Sequence, residues 1–225
     1  MSVAEPATDI ARIENVPLRV SVADILRQAI VNGTMRPGTP VVEMALAEQL
    51  NVSRAPVREA IQILEGDGLI ENVPYKGKRV KPLTLKEVEE LYSLREQFEV
   101  FAIRRIIEQG ADPSELKVHS SAMFEAAEAG DVVTLMLADE AFHRTLIQLA
   151  DHSLMLTMWE TLYLRIRQVM ALRNSANRDL TRVAANHPPI IEAIEQRNLS
   201  LAVSLIAEHT RSVSPITPEE LGIEV

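Results

Sequence analysis

Apolar positions recur at helical spacing along most of the chain, and the interruptions fall at capping and turn residues. Within residues 17–31 the apolar side chains Val20, Ala23, Ile25, Leu26, Ala29 and Ile30 predict a helix closed by Asn32-Gly33. Pro37-Gly38 marks a turn, and a short helix is expected over residues 43–50. The stretch NVSRAPVREAIQILEGDGLI predicts a helix opening at Ser53, whose hydroxyl can accept a free N–H of the first turn. Pro56 falls in that turn, where a missing N–H costs little. Val57, Ala60, Ile61 and Leu64 share one face of this helix, and Arg54, Arg58 and Gln62 run along another. Residues 70–73 and 78–80 flank a turn at 74–77 and read as a short hairpin.

Beyond Lys81-Pro82, taken as a linker, the strand signals stop. Thr84-Leu85-Lys86-Glu87 is a capping box opening a helix to about residue 109. Asp112 as N-cap and Pro113 at the first helical position open a second. Gly130-Asp131 separates it from a third over 132–150, and Ser153 is expected to cap a fourth reaching about 173. Residues 174–182 read as a loop or weak helix. Asn186-His187-Pro188-Pro189 begins a helix to 197, because both prolines need a first turn, and a last helix runs from 199 to about 213. The predicted fold is mainly α: an N-terminal winged helix-turn-helix at 17–82, then an all-α antiparallel helical bundle at 83–214. Residues 1–16 and 215–225 read as tails.

Composition narrows this picture. Of 225 residues 47% are hydrophobic, enough for real cores, and few aromatics and glycines favour helices over sheets. No apolar run reaches the ~18 residues that span a bilayer, and the N-terminus lacks a signal pattern, so no membrane partner is expected. The absence of cysteine excludes disulfides and thiolate metal sites and suits a cytoplasmic location. The net charge of −9 argues at first against nucleic acid. It is unevenly spread: residues 1–82 balance ten basic against ten acidic side chains, so the deficit falls entirely on 83–225. A neutral first part with clustered arginine can still bind phosphate.

Two sets of residues carry candidate chemistry. In the first, Ser53, Arg54, Arg58 and Gln62 sit on one helix, and Lys76, Gly77 and Lys78 on a basic hairpin tip beside it, where phosphate contacts would flank a recognition helix. An ordinary surface helix with solvated arginines shares this pattern. In the second, Asp139 and His143 are i, i+4 neighbours on one helix face, with His187 and His209 on others. Imidazole and carboxylate suit zinc, nickel, manganese or iron, though lone histidines more often cap helices or lie on the surface. His119 is expected to be exposed, His152 to serve in a turn or cap, and Trp159 and Tyr163 to be core or interface residues.

The words MRPG, LAEQLNVSRAPVREAI, LEGDGLI and YKGKRV, over about fifty residues from Ile30 to Val80, resemble the DNA-binding domain of GntR-family bacterial transcription regulators. The resemblance implies that the helix from Ser53 enters the major groove of double-stranded operator DNA, with Arg54, Arg58 and Gly77 in contact. Met44 stands where some members have an arginine, which should alter operator preference. DEAFHRTLIQLA, NHPPIIEAIEQRN and EHTR resemble the FCD effector-binding domain of the FadR subfamily. That implies a divalent metal ion, zinc first among the candidates, on Asp139, His143, His187 and His209. The departures, Asn186 in place of a frequent glutamate and two prolines after His187, change no ligand. LREQFEVFAIRRI resembles the first helix of that domain, where Arg95 would pair with an effector carboxylate. A plain Arg95–Glu99 surface pair is the alternative. Arg165 and Arg167 are further effector candidates, with a surface position preferred.

These features predict a homodimeric transcription regulator, a repressor by default, controlled by a small carboxylate effector bound beside the metal. A metal-responsive regulator is the alternative. A metal-dependent hydrolase is a further one, which lacks a general base spaced as in HExxH.

Overall fold

The computed structural model describes residues 16–174, 179–211 and 217. The expected tail at 1–15, part of the 174–182 segment and nearly all of 212–225 lie outside them.

The first unit is built from α1 (Leu18–Val31), β1 (Pro40–Val41), α2 (Glu43–Gln49), α3 (Arg54–Gly66), β2 (Ile70–Val73) and β3 (Gly77–Val80). The strands form an antiparallel sheet in the order β1-β3-β2, with Val73 opposite Gly77 and Ile70 opposite Val80. β1 is absent from the sequence reading, because two residues are too few to show an alternating pattern. It is fixed instead by its pairing with β3, Pro40 opposite Arg79 and Val41 opposite Lys78. Val57, Ala60, Ile61 and Leu64 of α3 are all completely buried against Val22, Leu26 and Ile30 of α1 and Leu69 and Val80. Burial of each large aliphatic is worth roughly 1.5–3 kcal/mol, which holds α3 with its opposite face outward. Ser53 has the extended backbone of an N-cap, but its side chain makes no capping bond. Its hydroxyl is left at the surface, a correction to the expected cap.

The second unit comprises α4 (Leu85–Gln109), α5 (Ser114–Ala129), α6 (Val132–Leu149), α7 (Ser153–Asn174), α8 (Leu180–Ala185), α9 (Pro188–Glu195) and α10 (Leu199–Arg211). Its core, which includes Ile103, Phe142, Leu146, Trp159, Ile166, Ile190 and Ile206, is separate from that of the first unit. Trp159 and Tyr163 both belong to it. Thr84 accepts from Glu87 N at 3.1 Å as expected, but the Glu87 carboxylate turns to Lys81 and Arg165 and does not close the capping box. Pro113, rather than Asp112, directly precedes α5, and Asp112 accepts from Ser114 N. At the start of α7 the cap is His152, whose Nδ1 accepts from Met155 N at 3.2 Å, in place of the Ser153 expected. His187 precedes Pro188 and Pro189, which occupy the first turn of α9. Among the described residues no helix is long and apolar enough to cross a membrane.

Candidate metal centre and nucleic-acid interface

Inside the helical unit, α6 points Asp139 and His143 inward from successive turns, and the start of α9 and the last turn of α10 bring His187 and His209 to them. One ligand atom from each of the four lies within 4.8 Å of the others. His143 Nε2 is 3.1 Å from His209 Nε2 and 3.8 Å from Asp139 Oδ1, and His187 Nε2 is 3.2 Å from the same carboxylate oxygen. Asp139, His143 and His187 are essentially excluded from solvent. The structure thus joins four side chains that are up to 70 residues apart in sequence.

The surroundings fix which ring nitrogens face inward. His187 Nδ1 lies 3.0 Å from the Val183 carbonyl oxygen, which can only accept, so that nitrogen donates there and Nε2 is the one turned toward Asp139. Glu99 Oε1 lies 3.0 Å from His143 Nδ1 and sets an ionised carboxylate beside that ring. Burial would raise the Asp139 carboxyl, but His143 and His187 outweigh it and hold the group well below the usual carboxylate range. Burial lowers His143 and His209, reinforced by Arg95, and for His209 also by the neighbouring imidazoles. Neutral imidazoles and an ionised carboxylate are the protonation states that a metal requires. His187 Nε2 and Asp139 Oδ1 approach to 3.2 Å without a hydrogen bond, and Asp139 Oδ2 is likewise buried without one. A cation between them resolves both. The residues fit a divalent ion, and their hardness suits zinc, nickel, manganese or iron.

Arg95 makes the pair with Glu99, but not on the surface: only 2% of it is exposed, and its Nε donates to Glu99 Oε1 at 2.8 Å deep in the bundle. Burial disfavours its charge, yet Glu99 keeps the guanidinium protonated. Its Nη2, Glu99 Oε2 and the Tyr163 hydroxyl are buried without hydrogen-bond partners. The sequence suggests Glu99 only as the solvated i, i+4 partner of Arg95; its burial and its approach to His143 carry no local signal.

Arg165 and Arg167 are not the surface residues expected. Arg165 is buried and donates to the carbonyl oxygens of Lys81 (3.4 Å) and Pro82 (3.0 Å), to Glu87 (2.9 Å) and to Gln168 (2.6 Å). Burial would raise Glu87, but Arg165 and Lys81 more than offset this and lower it. Arg167 bonds Gln28 and Asn32 of the first unit at 3.1 and 3.2 Å and pairs with Glu140, the neighbour of Asp139, at 3.2 Å. His119, expected in solvent, is half-buried with Nε2 3.0 Å from Thr145 Oγ1.

On the first unit the candidate DNA residues lie on one surface. Arg54 and Arg58, both more than half exposed, converge on Glu43 Oε2 at 3.7 and 3.2 Å. Ser53, Gln62, Lys76 and Gly77 are exposed. Lys78 is half-buried and ties the hairpin to α3 through Glu65 at 2.6 Å. Met44 is 67% exposed at the start of α2.

A winged helix joined to an all-α helical bundle defines a class of transcription regulator. Residues 18–80 match the model of bacterial regulatory proteins of the gntR family, and residues 90–212 match that of the FCD domain. The chain belongs to the GntR family of bacterial transcription regulators and carries an FCD domain. It is 30% identical over 212 residues to the probable D-xylose utilization operon transcriptional repressor of Paenarthrobacter nicotinovorans, covering 94% of this chain and 93% of that one. The gluconate operon transcriptional repressor of Bacillus subtilis (strain 168) is 29% identical over 198 residues, 84% of this chain and 81% of that one. A GntR-type regulator of Rhodococcus sp. RHA1 has a solved structure with a TM-score of 0.76 at 26% identity, covering 93% of this chain and all of that one. This protein is a DNA-binding transcription regulator and not an enzyme, which removes the hydrolase alternative.

Proposed function

We propose that the protein is a repressor whose operator affinity is set by a small carboxylate held beside a divalent ion on Asp139, His143, His187 and His209. The observation that carries this reading is the convergence of those four side chains next to the buried, unpartnered Nη2 of Arg95. The ion, when bound, supplies a Lewis-acidic position for an anionic oxygen. Arg95 supplies the second anchor, donating to the carboxylate from Nη2, while Glu99 keeps the guanidinium and the His143 ring in place. A relative that controls a gluconate operon makes sugar acids the first ligands to test.

The signal leaves through α7. Buried Tyr163 feels the charges of Asp139, Arg95 and Glu99, and Arg165 and Arg167 further along the helix hold the linker carbonyls and α1. A ligand that prefers one placement of α6 and α7 would shift the poise of the winged helix by that preference and no more. Arg54, Arg58 and Gln62 of α3, with Ser53 at its start, enter the major groove, and Lys76, Gly77 and Lys78 flank it. Two-fold operators call for a homodimer. Exposed Leu94 and Phe101 on α4, with Leu154 and Met158 on the adjacent α7, offer apolar area to a second copy. The work on DNA places the protein in the cytoplasm.

The test is metal analysis of the purified protein, followed by titration calorimetry with sugar acids on wild type and Arg95→Ala. Carboxylate binding that requires the metal and is lost in Arg95→Ala supports the reading. Binding indifferent to both sinks it.

The four protein ligands also favour a second reading, since a four-coordinate zinc site is thereby complete and closed. The ion itself would then be the signal. Operator affinity that follows metal concentration with no carboxylate present would select this reading.

A further inference from the structure

The hairpin tip puts a bulky side chain in a backbone conformation that the turn needs but the side chain does not favour. Lys76 N donates to the Val73 carbonyl at 3.0 Å, making residues 73–76 a β-turn. Proline at its second position restricts φ to the negative range, and Tyr75 follows at φ 64°. This is the type II pattern, whose third position favours glycine or asparagine. A bulky side chain there is strained. Among the described residues three other non-glycine residues have positive φ. Asn51 and Asp151 have short polar side chains that tolerate it. Arg197 lays its guanidinium over Gly110 at the end of α4 and so gains a contact. Tyr75 has neither excuse. Its relative exposure is 108%, and it makes no hydrogen bond or ring contact with any described residue.

The turn closes the hairpin, but glycine or asparagine would close it with less strain, so a tyrosine kept there points to a partner outside the molecule. The position says which one. Exposed Lys76 follows Tyr75, β3 carries Lys78 and Arg79, and Lys78 fastens the hairpin to the C-terminal half of α3 through Glu65. An aromatic ring on a basic projection beside a recognition helix meets a polyanion with apolar sugar faces.

We infer that Tyr75 is a contact to duplex DNA. Its ring lies against the sugar–phosphate backbone at the groove edge beside α3, its hydroxyl donates to a phosphate oxygen, and the left-handed residue aims it there. This rests on the DNA reading above. The contact positions the protein and reads no base, so it strengthens binding to all sequences alike.

The experiment compares full-length wild type, Tyr75→Gly, Tyr75→Phe and Arg58→Ala. Binding is measured to a duplex that wild type selects from a random library and to an unrelated mixed-sequence duplex, and each protein is melted. Tyr75→Gly removes the strain and the contact together. Its melting temperature should rise by a few degrees, while affinity for both duplexes falls about tenfold, or ~1.4 kcal/mol. Tyr75→Phe should melt as wild type and bind between the two. Unchanged binding by Tyr75→Gly overturns the inference, as does a fall in its melting temperature, which would make the tyrosine a structural turn residue. If Arg58→Ala weakens the selected duplex and Tyr75→Gly does not, the inference fails while the DNA reading stands. If wild type selects no duplex, the DNA reading fails and takes the inference with it.

Discussion

The winged unit and the helical bundle put their functional residues in opposite places. Arg54 and Arg58 stand more than half exposed, held by one carboxylate, so their conformations are adjustable and a partner must supply most of the desolvation. Asp139, His143, His187 and Arg95 are buried, with the Val183 carbonyl against the His187 ring and Glu99 beside His143 and Arg95. A surface that binds a long polyanion can afford loose arginines, because counterion release supplies much of the affinity. A site for one ion cannot, because each unmatched buried charge is costly. The charge distribution runs alongside, with the acidic excess confined to residues 83–225 and the charges of 1–82 in balance.

The largest effect should come from breaking the buried side of this contrast. Glu99→Ala would strand the Arg95 guanidinium and release the His143 ring. We expect a loss of about 3–5 kcal/mol in stability, read by urea denaturation. Metal affinity should fall roughly 10–100-fold as well, read by competition with a chelating dye. A variant as stable as wild type would show that the pair is not structural. On the exposed side, Arg58→Ala should leave the melting temperature unchanged and weaken specific binding by about 1–3 kcal/mol, with preference relaxed at one base pair. Equal loss on all sequences would demote Arg58 to a phosphate contact.

The bridge between the regions is the third target. Arg167→Met removes the bonds to Gln28, Asn32 and Glu140 while keeping much of the side chain's apolar length. Ligand and metal affinity of the bundle should stay near wild type, but the effect of ligand on operator binding should shrink by about 1–3 kcal/mol, the usual size of such coupling. Undiminished coupling would move the route elsewhere, to Arg165 and the linker. The pH dependence is the smallest effect. His143 and His209 are held below the ordinary histidine value by burial first, so the unfolded chain takes up protons before the folded one. Metal-free protein should therefore lose stability as pH falls below about 6.5, by more than its His143→Gln variant does. Identical melting profiles from pH 8 to pH 5.5 would contradict the burial of neutral rings.

How far the sequence could be read depended on the range of the forces involved. Thr84, Gly110, Asp131, Gly130 and the two prolines after His187 act within a turn of themselves, and they place the ends of α4, α5, α6 and α9 within a residue or two. Ser53 failed as a cap because a hydroxyl in the right backbone geometry can still rotate to solvent. β1 has no local signal at all. Within the bundle, Asp139 and His143 could be seen to share a face, but nothing along the chain brings His187 and His209 to them. Their assignment in the sequence came from resemblance to a family, and packing of α9 and α10 supplies its geometry. Arginine is usually exposed, and only the seating of α7 against α1 and the linker buries Arg165 and half-buries Arg167.

By itself, then, the sequence determined what depends on neighbours along the chain. These are the helix spans, the apolar face of α3, the arginines opposite it, and the switch from a winged to an all-helical pattern at Pro82. Tertiary structure alone decided that Arg95 and Glu99 form a buried pair, that three imidazoles and a carboxylate share one small volume, and that α7 touches both units. Those outcomes depend on desolvation and on distances between elements, and neither exists until the cores have closed.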